Sequence, residues 1–208
     1  MDLKKCLALY AVTDSRWAIE KTLIEQVEDA ICGGVTMVQL REKDLSEDDF
    51  FKKALEVKAV CRKHNVPLII NDNVLLAKKI DADGVHVGQS DLEVSEARKI
   101  LGPDKIIGVT AKTVEQAKIA EASGADYLGS GAVFGTATKS DAKSMSLDLL
   151  REITASVSIP VVAIGGIDEG NISKLKGTGI AGVAVVSGIF SKKDTGLAAR
   201  KLKAIDLN

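Results

Sequence analysis

The sequence predicts an α/β fold, a (β/α)8 TIM barrel formed by a single domain over residues 1–208. Eight short runs dense in Val, Ile and Leu alternate with longer amphipathic segments, and strict alternation of this kind is what such a barrel requires. The runs are apolar throughout, which is typical of parallel strands buried on both faces. No linker rich in Pro or Ser and no block of charge divides the chain. The alternative, a doubly wound open sheet, usually has about five or six strands rather than eight.

The predicted strands begin where proline is tolerated and end in polar residues. Pro67 and Pro160 each occupy the first position of a strand, where a missing N–H group does least harm. The eight strands are expected at 7–13, 36–42, 67–72, 84–89, 105–111, 126–132, 159–166 and 182–188.

The segments between the strands have helical spacing and recognisable ends. The first places Leu23 and Val27 on one face and stops at Gly33, and the second opens with acidic residues that suit the positive end of a helix dipole. The eight helices are expected at 18–32, 46–65, 74–80, 93–101, 114–123, 146–156, 170–176 and 195–204.

Composition excludes several classes of protein. Lys and Arg number 28 against 29 for Asp and Glu, so the net charge is −1 and there is no basic face for nucleic acid. No run approaches the ~20 apolar residues of a membrane span, and the apolar run near the start is too short for a signal peptide. Cys6, Cys32 and Cys61 lack metal-ligand spacing and are expected to be buried, reduced thiols. The sequence predicts a cytoplasmic protein and leaves open whether it forms a homo-oligomer.

Chemically capable residues follow the predicted strands at their carboxyl ends, where (β/α)8 barrels carry their sites. Gly165 and Gly166 end the seventh strand, and Ser187 and Gly188 end the eighth. Backbone N–H groups at a helix start attract anions, so we expect this corner to bind a phosphate. The alternative is that these residues only make tight turns.

Two carboxylates follow neighbouring strands. Asp72 is the last residue of the third predicted strand and Asp91 closely follows the fourth, so their side chains could converge on one Mg²⁺ ion, which favours one or two carboxylates together with substrate phosphates. The alternative is that each aspartate caps the following helix.

Three cations face these carboxylates in the predicted barrel. Gln39 and Arg41 alternate along the second strand and share a face with Lys43, while Glu42 points the other way, as a surface partner. Lys139 follows the sixth strand. A charged group at a barrel mouth is costly unless it meets an anion, although Lys43 could also be a solvated loop residue. Two anionic substrates, one of them a diphosphate, fit this arrangement.

Covalent catalysis has no support in the sequence. No Ser/His/Asp or Cys/His arrangement is visible. His86 lies inside a strand, where a packed, hydrogen-bonded histidine is expected rather than a base, and His64 lies on a polar helix end.

With these residues identified, the chain resembles the thiamine-phosphate synthase family from about Tyr10 to Phe190. The order and spacing of the matching segments make the resemblance specific. They are YAVTD (10–14), VQLREK (38–43), IINDN (69–73), DGVHVGQSDL (83–92), IIGVT (106–110), GADYLGSGAVFGTATK (124–139), PVVAIGGI (160–167) and GVAVVSGIF (182–190).

The resemblance implies a site residue by residue. Catalysis would depend on Arg41, Lys43, Thr110 and Lys139, and the Mg²⁺ ligands would be Asp72 and Asp91. The pyrimidine-diphosphate site would comprise Gln39, Leu40, Arg41, Glu42, Lys43, Asn71, Thr110 and Lys139. The thiazole-phosphate site would comprise Thr136, Ala137, Thr138, Gly166, Val186 and Ser187.

This chain departs from the family at two positions. The family often has Ser where this chain has Thr110, and the added methyl could crowd the diphosphate. It often has Pro where this chain has Gly135, which gives the segment 135–144 a flexible start. Because loops of this length in a compact domain are commonly functional, we expect 135–144 to act as a lid that touches both substrates.

The resemblance also implies a reaction, a dissociative transfer of the pyrimidine to the thiazole nitrogen with release of pyrophosphate. Two alternatives remain at this point. A related thiazole tautomerase shares the barrel and the phosphate corner, but it needs an acid–base residue and no metal–diphosphate site. A sensor of phosphate ligands would bind without turnover.

Overall fold

A computed structural model describes residues 2–89, 91–135 and 144–207, and it confirms the (β/α)8 barrel. Eight parallel strands pair in chain order, and β1 closes the barrel against β8 through the register Tyr10 with Ala184. The strands are β1 (Leu9–Val12), β2 (Met37–Leu40), β3 (Leu68–Asn71), β4 (Gly84–Val87), β5 (Ile106–Thr110), β6 (Tyr127–Gly131), β7 (Val161–Ile164) and β8 (Gly182–Val185).

The helices surround the barrel and follow the predicted order. They are α1 (Leu3–Cys6), α2 (Leu23–Cys32), α3 (Glu47–Lys63), α4 (Val74–Lys79), α5 (Val94–Leu101), α6 (Val114–Ala122), α7 (Leu147–Ser156), α8 (Ser187–Phe190) and α9 (Thr195–Lys203). No helix among the residues that the structure describes is long and apolar enough to cross a membrane.

Two helix predictions are corrected and two short helices were not predicted. The helix predicted at 18–32 begins at Leu23, because Thr22 and Glu25 form a capping box that fixes the start. The segment predicted as a helix at 170–176 is a short 3-10 helix, Ile172–Leu175. Helices α1 and α8 span four residues each, too few for a hydrophobic period to show in the sequence.

Strand side chains pack on both faces, as the apolar runs predict. One cluster fills the barrel interior and includes Tyr10, Met37, Ile69 and Tyr127, while a larger cluster lies between the strands and the helices. Burying a large apolar side chain contributes about 1.5–3 kcal/mol, so this double burial is the main support of the fold.

The three cysteines differ in environment. Cys61 is buried, and burial raises the pKa of its thiol to about 12, so it packs as an inert apolar side chain. Cys32 is exposed and Cys6 is only partly buried, so the expectation that all three thiols are buried is correct for Cys61 alone.

At the base of the barrel, Arg98 ties three segments together. Its guanidinium donates to the carbonyls of Lys105 and Gly124 and to the Asp126 carboxylate at 2.7 Å. The same carboxylate accepts the N–H of Ile107 at 2.7 Å. These bonds hold the starts of β5 and β6 in register, opposite the polar end of the barrel.

We expect Arg98→Met to lower the free energy of unfolding by about 2 kcal/mol, because hydrogen bonds to charged groups contribute about 1.5–3 kcal/mol. Urea denaturation measures the change. The matched control is Lys99→Met on the same helix, which removes only an exposed pair with Glu96 and should cost less than about 0.5 kcal/mol. Equal losses in the two variants would contradict the structural role of Arg98.

Candidate active site

A cavity of about 630 Å³ opens at the carboxyl ends of the strands. It gathers ten of the predicted site residues, from six strands or the segments that follow them. They are Gln39, Arg41, Lys43, Asn71, Asp72, Asp91, Thr110, Gly166, Val186 and Ser187.

Two predicted residues do not line this cavity. Leu40 packs between the sheet and the helices. Glu42 has a side chain only 6% exposed, accepts a hydrogen bond from the Ser15 hydroxyl and lies 3.5 Å from Lys53 Nζ. The expectation that Glu42 is a surface partner is therefore wrong, because the loop turns its carboxylate inward against α3.

Four further site residues, Thr136, Ala137, Thr138 and Lys139, lie outside the described residues, as does most of the predicted lid at 135–144. Their roles stay predictions.

The two aspartates lie at the cavity and cap no helix. Asp72 adopts a left-handed conformation (φ 61°) directly after β3, and its Oδ2 atom accepts a hydrogen bond from the Asn71 amide at 2.5 Å. Asp91 Oδ2 accepts the N–H of Gly88 at 2.6 Å. Helix α4 is capped instead by Asn73, and the N-cap residue of α5, Glu93, makes no capping bond. The capping alternative is therefore wrong for both aspartates.

The carboxylates of Asp72 and Asp91 fit a hard divalent cation. Mg²⁺ is usually held by one or two carboxylates and completes its shell with water and substrate phosphates. Within the described ranges, no three His, Cys, Asp or Glu side chains are grouped as a complete protein cage. Two carboxylates on one cavity lining match Mg²⁺, which can take its further ligands from water and phosphate, better than a metal that needs an all-protein cage.

Arg41 and Lys43 belong to the loop after β2, since that strand ends at Leu40 rather than at residue 42 as predicted. The Arg41 N–H donates to the buried hydroxyl of Thr13 at 3.0 Å, which fixes the start of this loop against the end of β1. Burial acts to raise the pKa of the neighbouring Asp14, but hydrogen bonds from Arg16 and the charge of Arg41 hold that pKa below its ordinary value. Arg41 therefore lies close to an ionised carboxylate.

The cavity floor is polar, and sequence reasoning missed most of it. Tyr10 and Tyr127 lie inside the barrel with 2.8 Å between their hydroxyl oxygens. Gln39 Nε2 donates to the Tyr10 hydroxyl at 2.7 Å, and His86 Nδ1 lies 3.0 Å from the Tyr127 hydroxyl. Burial raises the pKa of both phenols, so both stay protonated.

Two glycines make room for these rings. A Cβ atom at Gly108 would lie 2.1 Å from Cζ of Tyr127, and one at Gly129 would lie 3.0 Å from Cε1 of His86. A glycine inside a predicted strand often marks such a close approach, which is the signal that could have pointed to the tyrosine.

The predicted phosphate corner is formed by the ends of β7 and β8. Gly165 (φ 103°) and Gly166 (φ 67°) turn sharply, and a Cβ on Gly166 would meet the carbonyl oxygen of Gly135 at 2.3 Å. This pair does not lead directly into a helix, because the next helical turn begins only at Ile172. Ser187, in contrast, is the first residue of the short helix α8, because the strand predicted to reach residue 188 ends at Val185.

The closed barrel and the polar cavity at the carboxyl ends of its strands place this protein among the (β/α)8-barrel enzymes. Comparison with known proteins gives the particular family. The family model described as Thiamine monophosphate synthase matches residues 9–189, and the chain therefore belongs to that family.

Individual relatives are similar to this chain over nearly their whole length. The chain is 55% identical to the thiamine-phosphate synthase of Ruminiclostridium cellulolyticum over 96% of this chain and 95% of the relative. It is 52% identical to that of Clostridium beijerinckii over 94% of both chains. The solved structure of thiamine phosphate pyrophosphorylase from Pyrococcus furiosus superimposes with a TM-score of 0.89 at 37% identity, covering 97% of this chain and 96% of the other.

These comparisons confirm the activity that the sequence predicts. The protein is a transferase of thiamine biosynthesis that forms thiamine phosphate.

Proposed function

We propose that the protein forms thiamine phosphate in this cavity by a Mg²⁺-dependent, dissociative transfer between two small-molecule substrates. The substrates are hydroxymethylpyrimidine diphosphate and hydroxyethylthiazole phosphate. The bond between the pyrimidine methylene and the diphosphate oxygen breaks, and its electron pair leaves with pyrophosphate. The thiazole nitrogen then uses its lone pair to bond the methylene carbon, and no proton is transferred to or from the protein.

The observation that carries this proposal is the gathering of two carboxylates and two cations around one cavity. Arg41 and Lys43 present positive charge to an anion bound there, and Lys139 adds a third charge by its position in the sequence. Charges fixed in advance stabilise the negative charge that develops on departing pyrophosphate without reorganisation. Thr110 presents a hydroxyl to the same anion.

Asp72 and Asp91 are the residues that would hold Mg²⁺, which when bound supplies positive charge to the diphosphate. The Asn71 amide bonded to Asp72 and the Gly88 N–H bonded to Asp91 orient these two carboxylates. Such supporting hydrogen bonds fix the direction in which a ligand oxygen points.

The thiazole phosphate is assigned to the opposite corner, at the ends of β7 and β8. Gly166, Val186 and Ser187 line the cavity there, and Thr136, Ala137 and Thr138 complete this subsite by sequence. With the two substrates assigned to opposite sides of the cavity, the thiazole nitrogen would capture the cation from the side away from the leaving pyrophosphate.

The tautomerase alternative is less well supported. It requires an acid–base residue, and the histidine at the cavity has both ring nitrogens within 3.0 Å of hydroxyl partners, Tyr127 and Thr110. It also gives no reason for the carboxylates and cations at the mouth. Cytoplasmic location and self-association stay predictions from the sequence.

Purified protein mixed with both substrates and Mg²⁺ should release thiamine phosphate and pyrophosphate in equal amounts. Omitting either substrate, or chelating the metal, should stop the reaction. Tight substrate binding without product would instead support the sensor, and turnover of a thiazole tautomer without a diphosphate would support the tautomerase.

We expect Lys139→Ala to lower kcat at least tenfold, because it removes one of three positive charges assigned to the diphosphate. Steady-state kinetics with saturating Mg²⁺ measure the loss. The matched control is Lys193→Ala, an exposed lysine after α8 that lies away from the cavity lining. If the two variants were equally active, Lys139 would be an incidental loop residue.

A further inference from the structure

The hydrogen bonds on the cavity floor form one continuous chain that ends at Thr110. The chain runs from Gln39 through Tyr10 and Tyr127 to His86, whose Nε2 atom lies 3.0 Å from Thr110 Oγ1. Its five side chains come from five different strands, β1, β2, β4, β5 and β6. A chain that crosses the barrel in this way connects its interior to a residue of the substrate cavity.

The direction of this chain follows from its first donor. An amide nitrogen can only donate, so the Tyr10 hydroxyl accepts from Gln39. Tyr10 is buried, and the Tyr127 oxygen is the other hydrogen-bond partner described for its hydroxyl, so the buried hydrogen of Tyr10 is paired only when it is donated to Tyr127. The Tyr127 hydroxyl then gives its hydrogen to Nδ1 of His86. A neutral imidazole that accepts at Nδ1 carries its hydrogen on Nε2, which donates to Thr110 Oγ1.

We propose that His86 is a positioning residue that makes the Thr110 hydroxyl a hydrogen-bond donor toward the bound diphosphate. Because Thr110 Oγ1 accepts from His86, its own hydrogen is free to point at an anionic oxygen in the cavity. The reverse direction would direct that hydrogen to His86 and present only lone pairs to the anion. The inference rests on the proposed function for the identity of the anion, but not for the direction of the chain.

The packing around the chain holds it in one arrangement. The rings of Tyr10 and Tyr127 meet edge to face, with centroids 5.9 Å apart and an interplanar angle of 73°. Gly108 and Gly129 leave space for the rings of Tyr127 and His86 and for little else. On the cavity side, the Gln89 amide donates to the carbonyl of Thr110 at 2.6 Å and fixes its backbone.

The first experiment reads the direction of the chain without any turnover. The protein contains two histidines, so His64→Gln leaves one imidazole, and the ring of His64 is bonded to Glu28, away from the cavity lining. The ¹⁵N chemical shifts of that ring at about pH 8, where an ordinary imidazole is neutral, distinguish the two tautomers. We expect the Nε2–H tautomer alone. The Nδ1–H tautomer, or a mixture of the two, would overturn the inference.

The second experiment separates positioning from a general structural effect by using two isosteres. In His86→Asn the amide is too short to reach Thr110 but can still bond Tyr127, whereas in His86→Gln it can reach Thr110. We expect His86→Asn to weaken pyrophosphate binding in the presence of Mg²⁺ by about tenfold, as a lost hydrogen bond to a charged group would. We expect His86→Gln to recover most of that loss. Calorimetry with inorganic pyrophosphate measures both.

A double-mutant cycle with Thr110→Val completes the test. If His86 acts through Thr110, adding His86→Asn to Thr110→Val changes pyrophosphate affinity and kcat no further. Additive losses, or equal losses in His86→Asn and His86→Gln, would overturn the inference. Thermal unfolding of each variant separates misfolding from an effect on the site. If the wild-type protein bound no pyrophosphate, that result would count against the proposed function. The tautomer measurement would still decide the direction of the hydrogen-bond chain.

Discussion

Asp72→Asn and Asp91→Asn should each lower kcat by about a hundredfold or more, equivalent to about 2.7 kcal/mol at ~1.36 kcal/mol per decade. Each substitution keeps the size and hydrogen-bonding reach of the side chain but removes the negative charge that would hold Mg²⁺. The fold should be retained, because both residues lie at the barrel mouth rather than in its core.

The chain offers a matched control for the aspartate variants. Asp81, like Asp72, has a positive φ (52°), but it pairs with Lys105 at 2.6 Å and is absent from the cavity lining. We therefore expect Asp81→Asn to keep wild-type kcat. Titrating Mg²⁺ against initial rate should show a raised metal requirement in the two cavity variants only. Near-wild-type rates and metal dependence in both would show that Asp72 and Asp91 do not hold the metal.

Gly108→Ala should lower the free energy of unfolding by about 3 kcal/mol, at the upper end of the usual range for an overpacked core. The added methyl would lie 2.1 Å from Cζ and 2.3 Å from the hydroxyl oxygen of Tyr127. The backbone has no room to retreat, because Gly108 is paired with His86 of β4 on one side and with Tyr127 of β6 on the other. The displaced tyrosine would also break the hydrogen-bond chain on the cavity floor.

Two further glycines turn this prediction into a graded series. Gly129→Ala places its methyl 3.0 Å from a His86 carbon and should cost less than Gly108→Ala. Gly170→Ala, in an exposed turn with its nearest contact at 3.3 Å, should be neutral or stabilise slightly, since alanine restricts the unfolded chain. Urea denaturation should rank the three variants in that order, and similar stabilities for Gly108→Ala and Gly170→Ala would contradict the packing argument.

The order of the elements and the residues at the strand ends could be read from the sequence. Apolar runs without alternation predict strands buried on both faces, and that pattern depends only on local composition. Eight such runs leave the closed barrel as the arrangement that buries every one of them. Once the barrel is predicted, residues such as Asp72, Asp91 and Arg41 must meet at one end, because all parallel strands point the same way.

Element boundaries were predicted less well, for a local reason. The hydrophobic period of α2 extends back to Ile19, but the helix starts later, at Leu23, because the Thr22 capping box satisfies its first N–H groups there. Strand β2 likewise ends at Leu40, where the loop turns Glu42 inward toward Ser15 and Lys53. These choices depend on side-chain partners that no periodicity describes.

The hydrogen-bond chain was decided by the tertiary structure alone. Tyr10 and Tyr127 are 117 residues apart, and the residues beside each of them give no sign of the other. Their hydroxyls meet because barrel closure and strand register bring both side chains to the same interior layer, and because Gly108 leaves space beside one of them. The sequence by itself determined the fold, the family and the charged rim of the cavity, since these follow from local pattern and strand direction. The polar floor beneath that rim required the register of five strands, which is a property of the closed barrel and of no single segment.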